Sequence, residues 1–573
     1  MHWCAATVSS RPWPRCRRAG RSVRRNRARI PGRAGWHGIC QSVRHGRFPD
    51  RIPGPCHGPG ESPGRTSRRC PGRRETSRRC AGQAAARPRA GGGTLAAHAG
   101  EAAPVSHPDT APHRLGAAAI AAAYEAGTLT PTVLVRHLLD RAGRLDPKIH
   151  AFIRLDAEAA LEAAAQAERE IAAGRKRGPL HGVPVGIKDI IDVAGLPTTC
   201  HSKILLDNIA ARDATTVSRL RAAGAIILGK LSTHEFAIGG PCHDLPFPAA
   251  RNPWGTDHHP GGSSSGSGAG LAAGLFPLAL GTDTGGSVRN PASQCGITGL
   301  KPTYGLVSRA GVFPLAFTLD HIGPMARSAE DAALLLEAIA GHDPKDPGST
   351  MPPAAEYRPG PAGSLKGLRV GFVRHFHERD MPADPEMAAG LERAAEWLGA
   401  LGMRVCDVTL PSLDEFAAVN RVILHAEAFA IHARWLRERP GDYAQLTRSS
   451  LLTGAFLTAE DLGRAQRARH RMIAAVEEAF REVDVLLCAS SMDPAARIDD
   501  PAEIARTYAR QARTPFNVTG HPALAVMTGL SSGGLPLAAQ FIGRYFDERR
   551  LFTLAAAVAG VAGNPACPML LED

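Results

Sequence analysis

The stretch Gly261-Gly-Ser-Ser-Ser-Gly-Ser-Gly-Ala-Gly-Leu-Ala-Ala-Gly274 runs on through Leu275-Phe-Pro-Leu-Ala-Leu280 into Gly281-Thr-Asp-Thr-Gly-Gly-Ser-Val-Arg-Asn-Pro-Ala292. Two clusters of glycine and serine flank a short apolar run. Glycine lets backbone approach a ligand closely and leaves its N–H groups accessible. Serines beside glycines present hydroxyls that few neighbours shield. The pattern suits a nucleophile, a proton relay and an oxyanion hole gathered in one place. A flexible Gly/Ser linker is the alternative, but Leu271, Leu275, Phe276, Leu278 and Leu280 are apolar residues a linker has no use for.

Upstream, Pro179 to Val193 reads as a buried strand in which Val183, Val185 and Ile187 alternate before Lys188, with Ile190 and Ile191 following. Lysine is rarely buried unless it is paired or used. Burial lowers the amine pKa, and a neutral amine can act as a general base. The alternative is an ion pair from Lys188 to Asp189 or Asp192. Between the two stretches, Ala214 to Ala223 reads as a helix, Ala225 to Lys230 as a strand, and Ser232 to Ala237 as the opening of a helix. Such alternation predicts an α/β fold with a mixed or parallel sheet. His234, His243, His258 and His259 lack the HExxH spacing of a metal site and read as solvated or structural histidines.

The remaining segments read as scaffold. Helices are predicted over Leu115–Tyr124, over Thr132–Leu145 with Val133, Leu134, Leu138, Leu139 and Ala142 on one face, and over Asp156–Ala173. In the back half, strands are predicted over Leu368–Val373, Met403–Val408, Val483–Cys488 and Leu535–Gly543. Helices are predicted over Met387–Leu401 and Arg467–Phe480.

With these residues in view, the segment 261–292 resembles the signature of the amidase signature family, whose hydrolases use a Ser–cis-Ser–Lys triad. The likeness is carried by Gly261, Ser263, Ser264, Ser265, Gly266, Gly268, Ala269, Leu271, Ala272, Ala279, Gly281, Asp283, Gly285, Ser287, Val288, Arg289, Pro291 and Ala292. The flanks Gly182–Asp189, Arg251–Trp254 and Gly299–Gly305 are similar to the family too, and the likeness spans roughly residues 110–560. The resemblance implies one large α/β domain over 106–573, with a twisted mixed β-sheet flanked by helices. It implies Ser287 as nucleophile, Ser263 as a bridging serine held by a cis peptide bond, and Lys188 as base. It implies an oxyanion hole from the backbone N–H groups of Thr284, Gly285 and Gly286, joined by that of Ser287. Ser264, Asp283 and Arg289 are implied as supports. No metal and no organic cofactor is implied, and a homodimer is a further expectation.

The net charge of +14 looks like that of a nucleic-acid binder until it is located. Residues 1–100 hold 22 Arg and no Lys against Asp50, Glu61 and Glu75, a balance of +19, so the rest of the chain carries −5. No nucleic acid is therefore expected as a partner of the folded core. The leader, 1–105, is Arg/Pro/Gly-rich and has too few large aliphatics to offset the entropy of ordering. It is expected to be disordered; of three readings, a nucleic-acid-binding tail, an organelle transit peptide and a stretch outside the natural mature protein, the last is favoured. No apolar run of 18 residues or more is present, so no membrane span is expected. The twelve cysteines form no CxxC pair, and the six beyond the leader, Cys200, Cys242, Cys295, Cys406, Cys488 and Cys567, read as reduced thiols of a cytoplasmic protein.

The resemblance leads to a stand-alone amidase that hydrolyses a small-molecule carboxamide to acid and ammonia or amine through an acyl-enzyme. The alternative is the glutaminase (A) subunit of the tRNA-dependent amidotransferase. That protein usually carries a Tyr-Asp pair ahead of a Lys-Ala-Gln stretch, with the Asp helping to hold glutamine. The comparable run here, Leu457-Thr-Ala-Glu-Asp-Leu-Gly-Arg-Ala-Gln466, has Ala459 in that place. A Ser-His-Asp hydrolase is a rival reading, opposed by the lack of a GxSxG elbow centred on either serine. A non-enzymatic binding protein on the same scaffold is opposed by the intact Lys188, Ser263 and Ser287.

Overall fold

Three apolar runs become adjacent strands at one end of a sheet. The computed structural model describes residues 111–353 and 356–572, and the arginine-rich leader lies outside the described residues. The strands, in chain order, are β1 (Phe152–Leu155), β2 (Pro184–Lys188), β3 (Ile226–Leu231), β4 (Leu278–Asp283), β5 (Thr298–Lys301) and β6 (His321–Ala326). They continue with β7 (Arg369–Phe372), β8 (Arg404–Asp407), β9 (Val485–Ala489), β10 (Ala523–Leu530) and β11 (Pro536–Ile542). All eleven form one sheet in the order β1-β3-β2-β4-β6-β5-β10-β11-β9-β7-β8. β2 runs parallel to both β3 and β4, β7 runs parallel to β8 and β9, and the remaining pairs are antiparallel. The sheet is therefore mixed, with the parallel groups β3-β2-β4 and β9-β7-β8 joined through an antiparallel centre and β1 added antiparallel at one edge. Every residue of β2, β3 and β4 is buried, as continuous apolar strands covered on both faces are.

The covering helices are set by their caps and by their apolar faces. Thr130 caps the helix Pro131–Ile149 by accepting from the Val133 N–H, and Pro131 occupies its first turn. This helix buries Leu134, Val135, Leu138, Leu145 and Ile149, while Val133 is 53% exposed. The buried face lies one position away from the one predicted through Val133. Leu413–Glu438 and Ala459–Glu482 each begin with a capping box, Ser412/Glu415 and Thr458/Asp461.

The quoted stretch divides as a helix, Ser265–Ala272, followed by β4. The helix is buried along its whole length and consists of small residues because its neighbours lie against its backbone. A Cβ at Gly266 would sit 2.2 Å from the Ala151 carbonyl oxygen, and one at Gly270 would sit 2.2 Å from the Phe276 ring. Leu271, Leu275, Phe276, Leu278 and Leu280 are wholly buried, which accounts for their place among the glycines and serines.

Two local expectations are corrected. Lys188 is the last residue of β2 rather than its middle, and the chain turns at once through Asp189 to Ile191. Ser232–Ala237 opens no α-helix. It ends in a single 3-10 turn, Glu235–Ala237, with Phe236 at φ 50°. The Glu235 carboxylate there accepts from the Ser202 hydroxyl and the Ala444 N–H, and these tertiary bonds override the local helical preference.

Candidate active site

β2 and β4 run side by side in the same direction, which brings Lys188 to the end of the sheet where β4 leaves through Thr282 and Asp283. The Lys188 side chain is fully buried. Its Nζ lies 2.7 Å from Ser263 Oγ and 2.8 Å from Thr282 Oγ1. Burial pushes the amine down from near 10.5 to about 7, against the opposing pull of the Asp283 and Asp320 carboxylates. The ion pair to Asp189 or Asp192 weighed from the sequence is not formed. Asp189 instead faces Lys230 Nζ at 2.8 Å, and both are buried.

Ser263 follows a cis peptide bond, Gly262–Ser263. The Ser263 carbonyl accepts from the His234 N–H at 3.1 Å, and the Gly262 N–H donates to Asn290 Oδ1 at 2.8 Å. A Cβ at Gly262 would stand 2.1 Å from the His234 ring, so residue 262 has room for hydrogen only. His234 and His259 are buried with their Nε2 atoms 3.3 Å apart. They pack beneath the serine turn as structural histidines rather than facing solvent.

Ser264 ties the two serine clusters together. Its N–H donates to the Ser287 carbonyl at 3.2 Å, and its hydroxyl joins both the N–H and the carbonyl of Thr282. Ser287 lies just before the helix Arg289–Cys295 and is 6% exposed. Gly285, two residues earlier, is the partly exposed member of an otherwise buried loop.

Asp283 holds this loop closed. Its carboxylate accepts from the backbone N–H groups of Gly286, Val288 and Arg289, at 2.8, 3.2 and 3.4 Å. It also accepts from the Arg289 guanidinium at 3.0 and 3.1 Å and from Asn517 Nδ2 at 2.8 Å. Burial alone would raise this carboxyl. The guanidinium outweighs it and holds Asp283 well below the usual carboxylate range. Arg289 in turn donates to Gln540 Oε1, Asn517 Oδ1 and the Arg513 carbonyl. Ser264, Asp283 and Arg289 thus surround the loop they were expected to support.

One expectation changes. The Gly286 N–H, assigned to the oxyanion hole from the sequence, is committed to Asp283 because that carboxylate caps the start of the following helix. The N–H groups of Thr284, Gly285 and Ser287 have no acceptor among the described residues. The Thr284 carbonyl accepts from Asn420 Nδ2 at 3.3 Å, and the Thr284 hydroxyl donates to Asp320 at 2.6 Å.

Sequence reasoning missed Thr282, Asn290, Asn420, Asn517 and Gln540. Thr282 stood inside the quoted stretch, beside the carboxylate that was singled out. Asn290 stood inside it too, between two residues that were singled out, while Asn420, Asn517 and Gln540 lie in segments whose local composition carries no catalytic signal.

The chain belongs to the amidase family, whose model matches residues 133–552. It is a hydrolase acting on amides. Among curated relatives, the A subunit of glutamyl-tRNA(Gln) amidotransferase from Roseiflexus castenholzii is 39% identical over 476 residues, covering 78% of this chain and 96% of that protein. Among solved structures, the peptide amidase from Stenotrophomonas maltophilia is similar with a TM-score of 0.70 and 31% identity, over 80% of this chain and 99% of that one. A chain from a protein complex bearing on the origins of an s-triazine catabolic enzyme is similar with a TM-score of 0.73 and 32% identity, over 78% of this chain and 98% of that one.

Proposed function

We propose that this chain hydrolyses the C–N bond of a carboxamide with Ser287 as nucleophile, Ser263 as proton relay and Lys188 as base. The observation that carries the reading is a fully buried lysine amine, near neutrality at physiological pH, 2.7 Å from the bridging serine. A neutral amine can donate one hydrogen to Thr282 Oγ1 and still accept the Ser263 proton through its lone pair. Ser263 then takes the proton of Ser287 as the Ser287 oxygen bonds to the amide carbon. The carbonyl electrons move onto oxygen, where the free N–H groups of Thr284, Gly285 and Ser287 receive the charge. The same relay returns a proton to the nitrogen as the C–N bond breaks, so that ammonia or an amine leaves rather than its anion. Water then enters by the reverse path, and the acid departs from Ser287.

Two settings for this chemistry differ in their amide. The curated relatives favour the glutaminase of the amidotransferase over the stand-alone enzyme, because relatives 39% identical to this chain carry the name of its A subunit. The stand-alone setting is supported by solved neighbours that are amidases and by Ala459 at the place of the glutamine-holding Asp. A test is ammonia or amine release by the full chain from glutamine and from a panel of aliphatic, aryl and amino-acid amides. Turnover of glutamine alone, and only when partner subunits are added, selects the first setting. Turnover of other amides by the isolated chain selects the second.

A further inference from the structure

We propose that the substrate carries an anionic group such as a carboxylate, and that Arg513 and the Tyr508 hydroxyl form the subsite that receives it. The inference rests on the amidase reading of Ser287 and extends it to the substrate class.

Arg513 is 2% exposed and reaches the nucleophile loop from the segment just before the helix Thr514–Thr519. One terminal nitrogen donates to the Ser490 carbonyl at 2.8 Å and to the Ser491 hydroxyl at 2.7 Å, while its buried Nε has no partner. Among the described residues no carboxylate pairs with it. The contrast with Arg289 is direct. That guanidinium is matched by Asp283 at 3.0 Å, and Asp283 is already committed to Arg289, Asn517 and three backbone N–H groups. One positive charge is left over beside the site. A buried, uncompensated charge is costly and is retained where something supplies the counter-charge.

Its position says what supplies it. A Cβ on Gly286 would lie 2.4 Å from Arg513 Nε, so the guanidinium stem packs flat against the peptide next to Ser287. Tyr508 reaches the same place, its ring centroid 5.8 Å from that of His234 under the serine turn, with its hydroxyl on the side of Ser287. Burial raises the phenol, which therefore stays a neutral donor. The other polar groups around the guanidinium, Ser490 and Ser491, are uncharged, with Asn290 and Gln294 bonded to Ser491 behind them. The guanidinium keeps an unpartnered Nε, and among the described residues neither it nor the phenol beside the nucleophile faces an anionic acceptor. The scissile carbonyl has its own N–H donors, so this pair answers a second oxygen function on the substrate. Arginine suits a carboxylate because its fork matches two oxygens. Monoamides of dicarboxylic acids, with the side-chain amide of glutamine among them, have this form.

The test compares kcat/KM of the full chain for matched pairs, glutaramate against pentanamide and succinamate against butanamide. An amine-side pair, N-butanoylglycine against N-ethylbutanamide, tells which end of the substrate the anion occupies. The expected result is a preference of about 10- to 100-fold for the carboxylate member, the range of a hydrogen bond to a charged group. Arg513→Gln is expected to abolish that preference mainly through KM, and Arg513→Lys to restore part of it. A readout independent of turnover is glutarate binding to Ser287→Ala by calorimetry, expected to be lost in Ser287→Ala/Arg513→Gln. Equal rates within every pair, or glutarate binding indifferent to Arg513→Gln in a folded protein, would overturn the inference. If Arg513→Gln does not fold, Tyr508→Phe carries the same comparison. If no amide is cleaved, the amidase reading fails, and the glutarate measurement still judges the subsite.

Discussion

The acidity of Lys188 sets a rate profile that can be worked out before any assay. An amine at its ordinary value near 10.5 would be neutral in roughly 0.03% of molecules at pH 7, whereas one at about 7 is neutral in about half. Burial at the end of β2 therefore raises the basic form by about 10³-fold at neutral pH. With neutral Lys188 as the base proposed above, kcat/KM for a neutral amide should rise through pH 7 and level off above about 8. Below about 6 it should fall tenfold per pH unit. Most neighbours do not obscure the profile. His259 is held down to about 4 by burial, His234 well below 6.5, and Cys200 well above 9.0. Asp320, pushed up by burial to about 6, overlaps the lower end. Since its charge raises the lysine, Asp320→Asn should move the limb to lower pH without abolishing it. The assay is ammonia release from pH 5 to 10 with initial rates well below saturation. A flat profile down to pH 5, or a limb near 10, would refute a buried neutral base, as would full activity in Lys188→Arg.

Three further outcomes follow from the same geometry. Ser287→Ala should lower turnover by about 10⁴-fold or more while leaving thermal unfolding nearly unchanged, and wild-type ammonia release would rule out Ser287 as nucleophile. Arg289→Met strands the Asp283 carboxylate at a wholly buried site and should cost about 3–5 kcal/mol in chemical denaturation, against which a loss below about 1 kcal/mol would count. Gly266→Ala places its Cβ 2.2 Å from the Ala151 carbonyl oxygen and 2.6 Å from the Ser232 nitrogen, both backbone atoms, so folded yield and melting temperature should drop sharply. An unaltered melting curve would contradict that packing.

The parts of the site legible in the sequence are those at odds with their surroundings. Lys188 stood out because a charge ended an apolar run, and the serines because leucines sat among them. β2, β3 and β4 were legible for the same reason, as short apolar runs bounded by turns. Thr282 escaped notice because a threonine among Gly, Asp and Thr breaks no pattern. Asn517 was invisible for another reason, since it lies 234 residues beyond the carboxylate it supports and only the fold brings the two together. Gly286 shows the limit of reading roles from residue type. Its lack of a side chain suits an oxyanion hole equally well, and only the position of Asp283 reveals that its N–H is already taken. Arg513 is one of many arginines in the chain, and nothing local distinguishes it from those exposed on helices.

The position of β10 and β11 has a consequence for how the protein comes into being. These strands sit between β5 and β9 and join the two ends of the sheet, while Asn517 and Gln540 from the same region secure Asp283 and Arg289. A chain emerging from the ribosome presents Lys188, Ser263 and Ser287 long before it presents these partners. The nucleophile loop thus waits for contacts of long sequence separation, the kind that form late and slowly. A nascent or prematurely ended chain holds every side chain of the proposed triad and no assembled site. Hydrolytic activity arrives only with completion of the fold, and unfinished copies are inert toward the amides around them.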